Sequence, residues 1–495
     1  MPFGIGPLSV YSAPMKKWLI RALLAVPVLV AVLAVGGAAS AVRRLPDLHP
    51  WHRLVSRLEP RAADITPTFT LDAYLEREAK LFSEVHEQVE RIAGAGANLT
   101  VPNRFVQGSR SYPQNLKTNW NRTQVLSVGE PRGGALLIHG LTDSPYSMRA
   151  MAERLHAAGF YTVSLRMQGH GTVPGGLVNT SWEDWAAAVR MGARHVSSKV
   201  GPGKPLILVG YSNGGALVTK YAVDALSDKS LPQATKLVLV SPMIGVSPAA
   251  VLAGTISLLG PIVEKARWID VVPEYNPFKY NSFPANAGRQ TARITRTLSR
   301  DLEAAARDGR LQGMPPVLVF QSLLDTTVST PAVFYELLDR LPANRNELVL
   351  FDLNREAGVD AFTRADAILP RLIGEGPRPY AVTLVTNSQP SSMEVSARSM
   401  APGTTTVTEE PLGISWPDGM YSLSHVALPF PPDDPIYGGN GNGRESGSVS
   451  LGRLSPRGEK GALILSADVL MRVLWNPFFP YLGRRLDMWV GVVQP

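Results

Sequence analysis

The chain contains no cysteine, which excludes disulfides, thiolate nucleophiles and cysteine-ligated metals together. Charge is sparse, with Asp, Glu, Lys and Arg making up 18% of residues, and no Lys/Arg-rich run occurs. The formal net charge of +8 therefore reads as scattered surface arginines, and no nucleic-acid partner is expected. His-x-x-x-His pairs and comparable ligand clusters are missing, so neither a metal nor a cofactor is expected. Internal repeats are absent too. What remains is 495 residues with ample apolar content, enough for several average domains or one large α/β core with insertions.

One long uncharged stretch stands out, from Ala22 to Val42, preceded by Lys16, Lys17 and Arg21 and closed by Arg43 and Arg44. It is long enough to span a bilayer, although Pro27 and Gly36-Gly37 weaken its helix. Its end, Ala39-Ser40-Ala41, also resembles a signal cleavage site, and Met15 offers a second possible start. The expectation is an uncleaved inner-membrane anchor over residues 1–44 with the remainder exported, and a cleaved secretory signal is its rival.

Residues 45–122 read as a Pro/Arg-rich linker and an N-terminal extension, with a helix from Leu71 to Val89 whose apolar residues recur at helical spacing. An α/β rhythm follows. Strands are expected at 123–128, 135–138, 161–165, 206–209, 236–240, 316–320 and 348–351, with helices at 146–158, 181–196, 215–226 and 331–341 between them. Such alternation implies a mainly parallel sheet with helices on both faces. The rhythm breaks over about 243–310, where an apolar stretch (249–263) and an Arg/Ala-rich helix suggest a cap or an extra helical layer. The tail beyond 430 is Gly/Pro-rich, and Gly461 to Trp475 is expected to pack back as a helix.

The chemistry concentrates at Gly210-Tyr211-Ser212-Asn213-Gly214. A serine between glycines, with a buried strand before it and a helix after it, is a nucleophile elbow. A serine hydroxyl needs a base within hydrogen-bond reach and an acid to orient that base. On folds with such an elbow the acid and the histidine follow the serine in the chain. Of the eight histidines only His425 does so, which names the base by elimination. Asp325, just beyond a late strand, is the favoured acid; Asp352, after the next strand, is the alternative, and Asp360 a weaker one. The oxyanion needs preset N–H donors, for which the amides of Asn213 and Leu141 are placed. His139 reads as structural.

The set Leu137-Ile138-His139-Gly140, Gln168-Gly169-His170-Gly171, Gly210 to Gly215, Asp325 and His425 resembles the α/β-hydrolase superfamily. Within it the chain is similar to the monoacylglycerol lipase and serine aminopeptidase-like branch of lysophospholipases and carboxylesterases. The resemblance covers about 123–430 and implies an α/β-hydrolase fold, with an eight-stranded core and a cap inserted after the strand ending near Val240. It departs from that branch at three places. Tyr211 and Asn213 replace the usual His and Met. Arg166-Met167-Gln168 replaces Asp-x-Arg. The span from Asp325 to His425 is long.

These readings converge on a serine hydrolase of carboxylic esters acting on a lipid-like substrate. The stretch 249–263 with Trp268, Tyr275, Phe278, Tyr280 and Phe283 either lines an acyl pocket or holds the cap together. An aminopeptidase is the nearest rival, with Glu264, Asp270 or Glu274 to hold a substrate amine. A non-catalytic envelope-associated binding module is the rival from another class.

Overall fold

The computed structural model describes residues 44–93, 102–245, 263–343, 345–355, 376–439 and 472–492, plus a few isolated positions before 44. Twelve strands are present among them: β1 (Gln124–Leu126), β2 (Gly133–Ile138), β3 (Phe160–Leu165), β4 (Leu206–Tyr211), β5 (Lys236–Val240), β6 (Trp268–Asp270), β7 (Phe283–Pro284), β8 (Val317–Ser322), β9 (Glu347–Phe351), β10 (Ala381–Asn387), β11 (Glu394–Met400) and β12 (Val407–Ser415). The principal helices are α1 (Leu71–Ala93), α2 (Arg149–Ala157), α3 (Trp182–Val200), α4 (Asn213–Ala225), α5 (Ala285–Arg307) and α6 (Phe479–Val490).

Ten strands form one sheet in the order β1-β3-β2-β4-β5-β8-β9-β10-β11-β12. The run from β3 to β10 is parallel, while β1, β11 and β12 join antiparallel at the two edges. The central strands β2, β4 and β8 are buried along their whole length, as a parallel sheet covered on both faces requires. Strand alternation then sorts side chains between two cores. Leu136, Ile138, Leu208 and Leu239 face α3, α4 and α5. Ala135, Leu137, Val209 and Val240 face α2, α6 and the segment 416–437.

The helix expected at 181–196 is α3, and Ser181 caps it by accepting the Asp184 amide while Asp184 accepts the Ser181 amide. The expected helix at 331–341 is instead broken into short α, π and 3-10 turns. The sheet exceeds the eight strands that the resemblance implies, because β10 to β12 extend it within the long Asp325–His425 span. β11 and β12 carry Ser, Arg, Thr and Glu at half-buried or exposed positions, and β10 mixes buried Thr and Asn with its apolar residues, so no continuous apolar run announces them. The helix that packs back from the tail is α6, later than the expected 461–475, most of which lies outside the described residues. The apolar stretch 249–262 lies outside them as well.

The membrane-anchor expectation is corrected. Among the described residues no helix is long and apolar enough to cross a membrane. Most of 22–42 lies outside the described residues, and the inner-membrane placement built on it is withdrawn.

The N-terminal extension is locked onto the core by a buried ionic cluster. Arg166, fully buried after β3, donates from Nη1 and Nη2 to Glu59 (3.0 and 3.1 Å) and from Nε to Glu78 (3.0 Å). Glu78 also accepts the Thr123 amide and hydroxyl, and Tyr74 donates to the Arg166 carbonyl. The departure Arg166-Met167-Gln168 thus has a local cause. Its arginine faces two carboxylates from the extension.

Candidate active site

β4 ends at Tyr211, and the chain turns so tightly into α4 that Ser212 takes φ 53° and ψ −117°, a left-handed conformation costly for a side-chain-bearing residue. The turn is fixed on both sides. Ser212 N–H donates to Val240 O (3.0 Å), and its carbonyl accepts the Gly215 and Met243 amides (2.9 and 3.0 Å). A Cβ at Gly214 would lie 2.1 Å from the Ile138 carbonyl, so only glycine lets α4 approach β2. Ser212 itself is 4% exposed.

The proposed oxyanion donors come from neighbouring strand ends. β2 and β4 pair in parallel with Ile138 opposite Gly210, which sets the loop His139-Gly140-Leu141 beside Tyr211-Ser212-Asn213. Asn213 is the first residue of α4, where free amides and the helix dipole favour negative charge. His139 is structural, as expected. Its Nε2 accepts the Met167 amide (3.0 Å), so Nδ1–H donates to Gly140 O (2.9 Å). Burial, the largest cause, holds its pKa down to about 3.

Asp325 and His425 meet across a sequence separation of one hundred residues, with His425 Nδ1 at 2.8 Å from Asp325 Oδ2. Asp325 Oδ1 accepts the amides of Thr327 and Val328 (2.8 and 3.0 Å), and Oδ2 also accepts from Gln321 (3.2 Å). Burial pushes the Asp325 pKa up, yet the His425 charge, its hydrogen bond and the two amides together bring it below the ordinary carboxylate value. With Asp325 ionised, Nδ1 must carry the proton, and Nε2 is left as the basic nitrogen. The Tyr211 ring lies 5.3 Å from the His425 ring. Among the described residues Ser212 Oγ makes no hydrogen bond to His425; such contacts commonly tighten only in the complex with substrate.

The long insertion delivers His425 rather than displacing it. Ser322 Oγ donates to Leu423 O (2.9 Å), Asn354 N–H donates to Tyr421 O (2.8 Å), and Ser424 Oγ donates to Val473 O. These bonds pin the incoming loop to the ends of β8 and β9 and to the tail segment at Val473. Asp352, the alternative acid, is engaged elsewhere: it accepts from Arg355 Nε and Nη2 (3.0 and 2.9 Å) and from Thr386 (2.8 Å). Asp360 lies outside the described residues.

Sequence reasoning missed Asp143, whose only signal is its place two residues after Leu141. It is buried against Gly140 and lies 3.5 Å from Lys279 Nζ. Burial raises its pKa against the opposing charges of Lys279 and His425. Two of the three acidic residues offered for a substrate amine are otherwise occupied. Glu264 pairs with Arg53 (3.0 Å) on the surface, and Glu274 accepts the Asn281 and Ser282 amides (2.9 and 2.8 Å) in the interior. Asp270 is exposed, and its pKa is raised by partial burial of the carboxylate. The candidate acyl-pocket aromatics largely pack. Phe278 stacks on Tyr146 at 4.0 Å, and Tyr280 donates to Gly169 O (3.1 Å).

Residues 129–353 match the Hydrolase_4 family, described as serine aminopeptidase, S33. This is an α/β-hydrolase domain. The resemblance to the monoacylglycerol lipase and serine aminopeptidase branch holds over these residues. A thermostable monoacylglycerol lipase of a Bacillus species is 40% identical over 100 residues, 19% of this chain and 38% of that relative. The match therefore spans well under two thirds of the relative's length. Among solved structures, the metagenome-derived lipolytic enzymes LipS and LipT give a TM-score of 0.38 at 22% identity, over 48% of this chain and 88% of theirs. The monoacylglycerol lipase of Paleococcus ferrophilus gives 0.35 at 19% identity, over 46% and 88%.

Proposed function

We propose that this α/β-hydrolase is a serine esterase that cleaves carboxylic esters with lipid-like acyl groups. The observation that carries the reading is the 2.8 Å bond between His425 Nδ1 and Asp325 Oδ2, set beside a serine strained at the head of α4. His425 Nε2 takes the Ser212 hydroxyl proton as Oγ attacks the ester carbonyl. The Asn213 and Leu141 amides receive the negative charge that forms on the carbonyl oxygen. The tetrahedral centre collapses, the C–O bond breaks, and His425 hands the proton to the departing alkoxide. Water, deprotonated by the same nitrogen, then releases the acid from Ser212 and restores the hydroxyl.

The lipid-like substrate class rests on the Bacillus relative, whose name is a monoacylglycerol lipase. The occupied carboxylates Glu264 and Glu274 favour an ester over a peptide with a free amine. The test is kinetics of the full chain on p-nitrophenyl esters of increasing acyl length, 1-monoacylglycerols and aminoacyl amides. Ester turnover with kcat/KM rising to a medium or long chain is expected. Faster cleavage of the amides would overturn the ester assignment.

A further inference from the structure

A second buried arginine lies outside the esterase site and is not paired as Arg166 is. Arg104 is 3% exposed. Its Nη2 donates to Asn121 Oδ1 and to Gly171 O, both at 3.0 Å, and both acceptors are neutral. Asn121 is held in that orientation because its Nδ2 donates to Pro277 O (3.0 Å). Among the described residues Nε and Nη1 of Arg104 have no hydrogen-bond partner. Glu274 is the carboxylate whose charge reaches it, yet both of its oxygens are taken by the Asn281 and Ser282 amides. The Tyr280 and Phe105 rings, 5.1 and 5.6 Å from Cζ, offset part of the charge. A buried guanidinium without a carboxylate is costly, and it favours a site that an anion can enter.

Arg104 lines a small cleft of about 50 Å³ beside α1 that opens to solvent. The other walls are mainly apolar: Phe82, Val85 and Val89 from α1, with Phe105 and Tyr112 from the loop that follows. Arg104 is the only lysine or arginine among the lining residues. One fixed positive charge at the end of an apolar cleft matches a monoanion with a hydrocarbon body better than a multiply charged phosphate.

We propose that this cleft binds a monocarboxylate with an apolar tail, its carboxylate on Arg104 and its tail along Phe82, Val85 and Val89 of α1. The inference goes beyond the esterase reading and does not depend on it. Arg104 is linked to the loop that carries Leu141 through Tyr280. Tyr280, under the Arg104 guanidinium, donates its amide to Thr142 O (2.8 Å), next to Leu141.

The experiment is isothermal titration of the full chain, with Ser212 first blocked by a fluorophosphonate so that its acyl site is filled. Octanoate is compared with octanol and with inorganic phosphate. Unblocked protein is titrated alongside, so a failure of Ser212 to react is read separately from a failure of the cleft to bind. Saturable one-to-one octanoate binding is expected, with octanol and phosphate at least about tenfold weaker. Arg104→Met is expected to lose it, with cooperative thermal unfolding as the control for folding. Val85→Phe, which narrows the apolar wall and leaves Arg104 in place, should weaken octanoate about tenfold and serves if Arg104→Met does not fold. No octanoate binding, equal binding of octanol, tighter binding of phosphate, or undiminished binding in folded Val85→Phe would each overturn the proposal.

Discussion

Two buried ionic constellations in this molecule use similar parts for different ends. In the Arg166 cluster one guanidinium meets Glu59 and Glu78, and Nη1 also reaches the His170 carbonyl at 2.9 Å, so each of its three nitrogens donates to protein. Every edge of the charge is closed by protein. In the Asp325–His425 pair the carboxylate is equally saturated, but among the described residues the imidazole is bonded on one side only. Closure on all sides makes a clamp; closure on one side leaves a nitrogen for chemistry. Burial alone does not distinguish them, and the count of unused donors and acceptors does.

That contrast breaks most sharply at Asp325. Asp325→Asn is expected to lower kcat/KM on a p-nitrophenyl ester by roughly 10³- to 10⁴-fold, because the imidazole loses its tautomer and orientation. The melting temperature should change little. Arg166→Met should do the reverse, costing about 3–5 kcal/mol in chemical denaturation by stranding two buried carboxylates. Activity per folded molecule should persist. Replacing Arg166, Glu59 and Glu78 together with apolar residues should recover much of that loss, which sharpens the assignment of the cluster as a clamp. Asp352→Asn tests the alternative acid. Stability is expected to fall by about 1–3 kcal/mol through the Arg355 and Thr386 bonds, with ester turnover within a few-fold of wild type.

The pH dependence of stability follows from the buried imidazoles. Burial holds His139 down to about 3 and His52 down to about 4. Both bind protons more readily when unfolded, so their contribution is full above about 6.5 and is lost as pH falls from there. Asp325 has a depressed folded value, so its contribution is present above the ordinary carboxylate range and goes as pH falls through that lower value. Urea titrations from pH 8 to pH 4 should therefore show a decline beginning near neutrality. Tyr211→Phe is expected to have the smallest effect, under about threefold in kcat, because its hydroxyl lies a marginal 3.5 Å from the His425 carbonyl.

The sequence made the parallel core legible because β2, β4, β5 and β8 are continuous apolar runs between helix signals. The candidate site was legible for a different reason: chain order left His425 as the only histidine after Ser212. Asp325 is readable as the candidate acid from its place after a strand, and its carboxylate lies 2.8 Å from His425 Nδ1. The edge strands β10 to β12 were not legible. Their apolar residues are few and interrupted, Val382, Val385, Val395, Ala397 and Leu412 reaching the two cores, while polar pairs such as Thr383 facing Ser399 and Arg398 facing Glu409 fill the positions between. Nor was the Arg166 cluster, since its partners lie about 90 and 110 residues away and no local pattern links them. The apolar stretch near the N-terminus shows the opposite error, where a conspicuous pattern prompted a membrane placement that the described helices do not support.

The central claim is that Ser212 is the nucleophile of an ester hydrolase. It is tested most directly by reacting the full chain with a fluorophosphonate and locating the adduct by peptide mass spectrometry. A single adduct on the Ser212 peptide is expected, absent in Ser212→Ala and formed at least about a hundredfold more slowly in Asp325→Asn. An adduct elsewhere, or labelling undiminished in Ser212→Ala, would contradict the account.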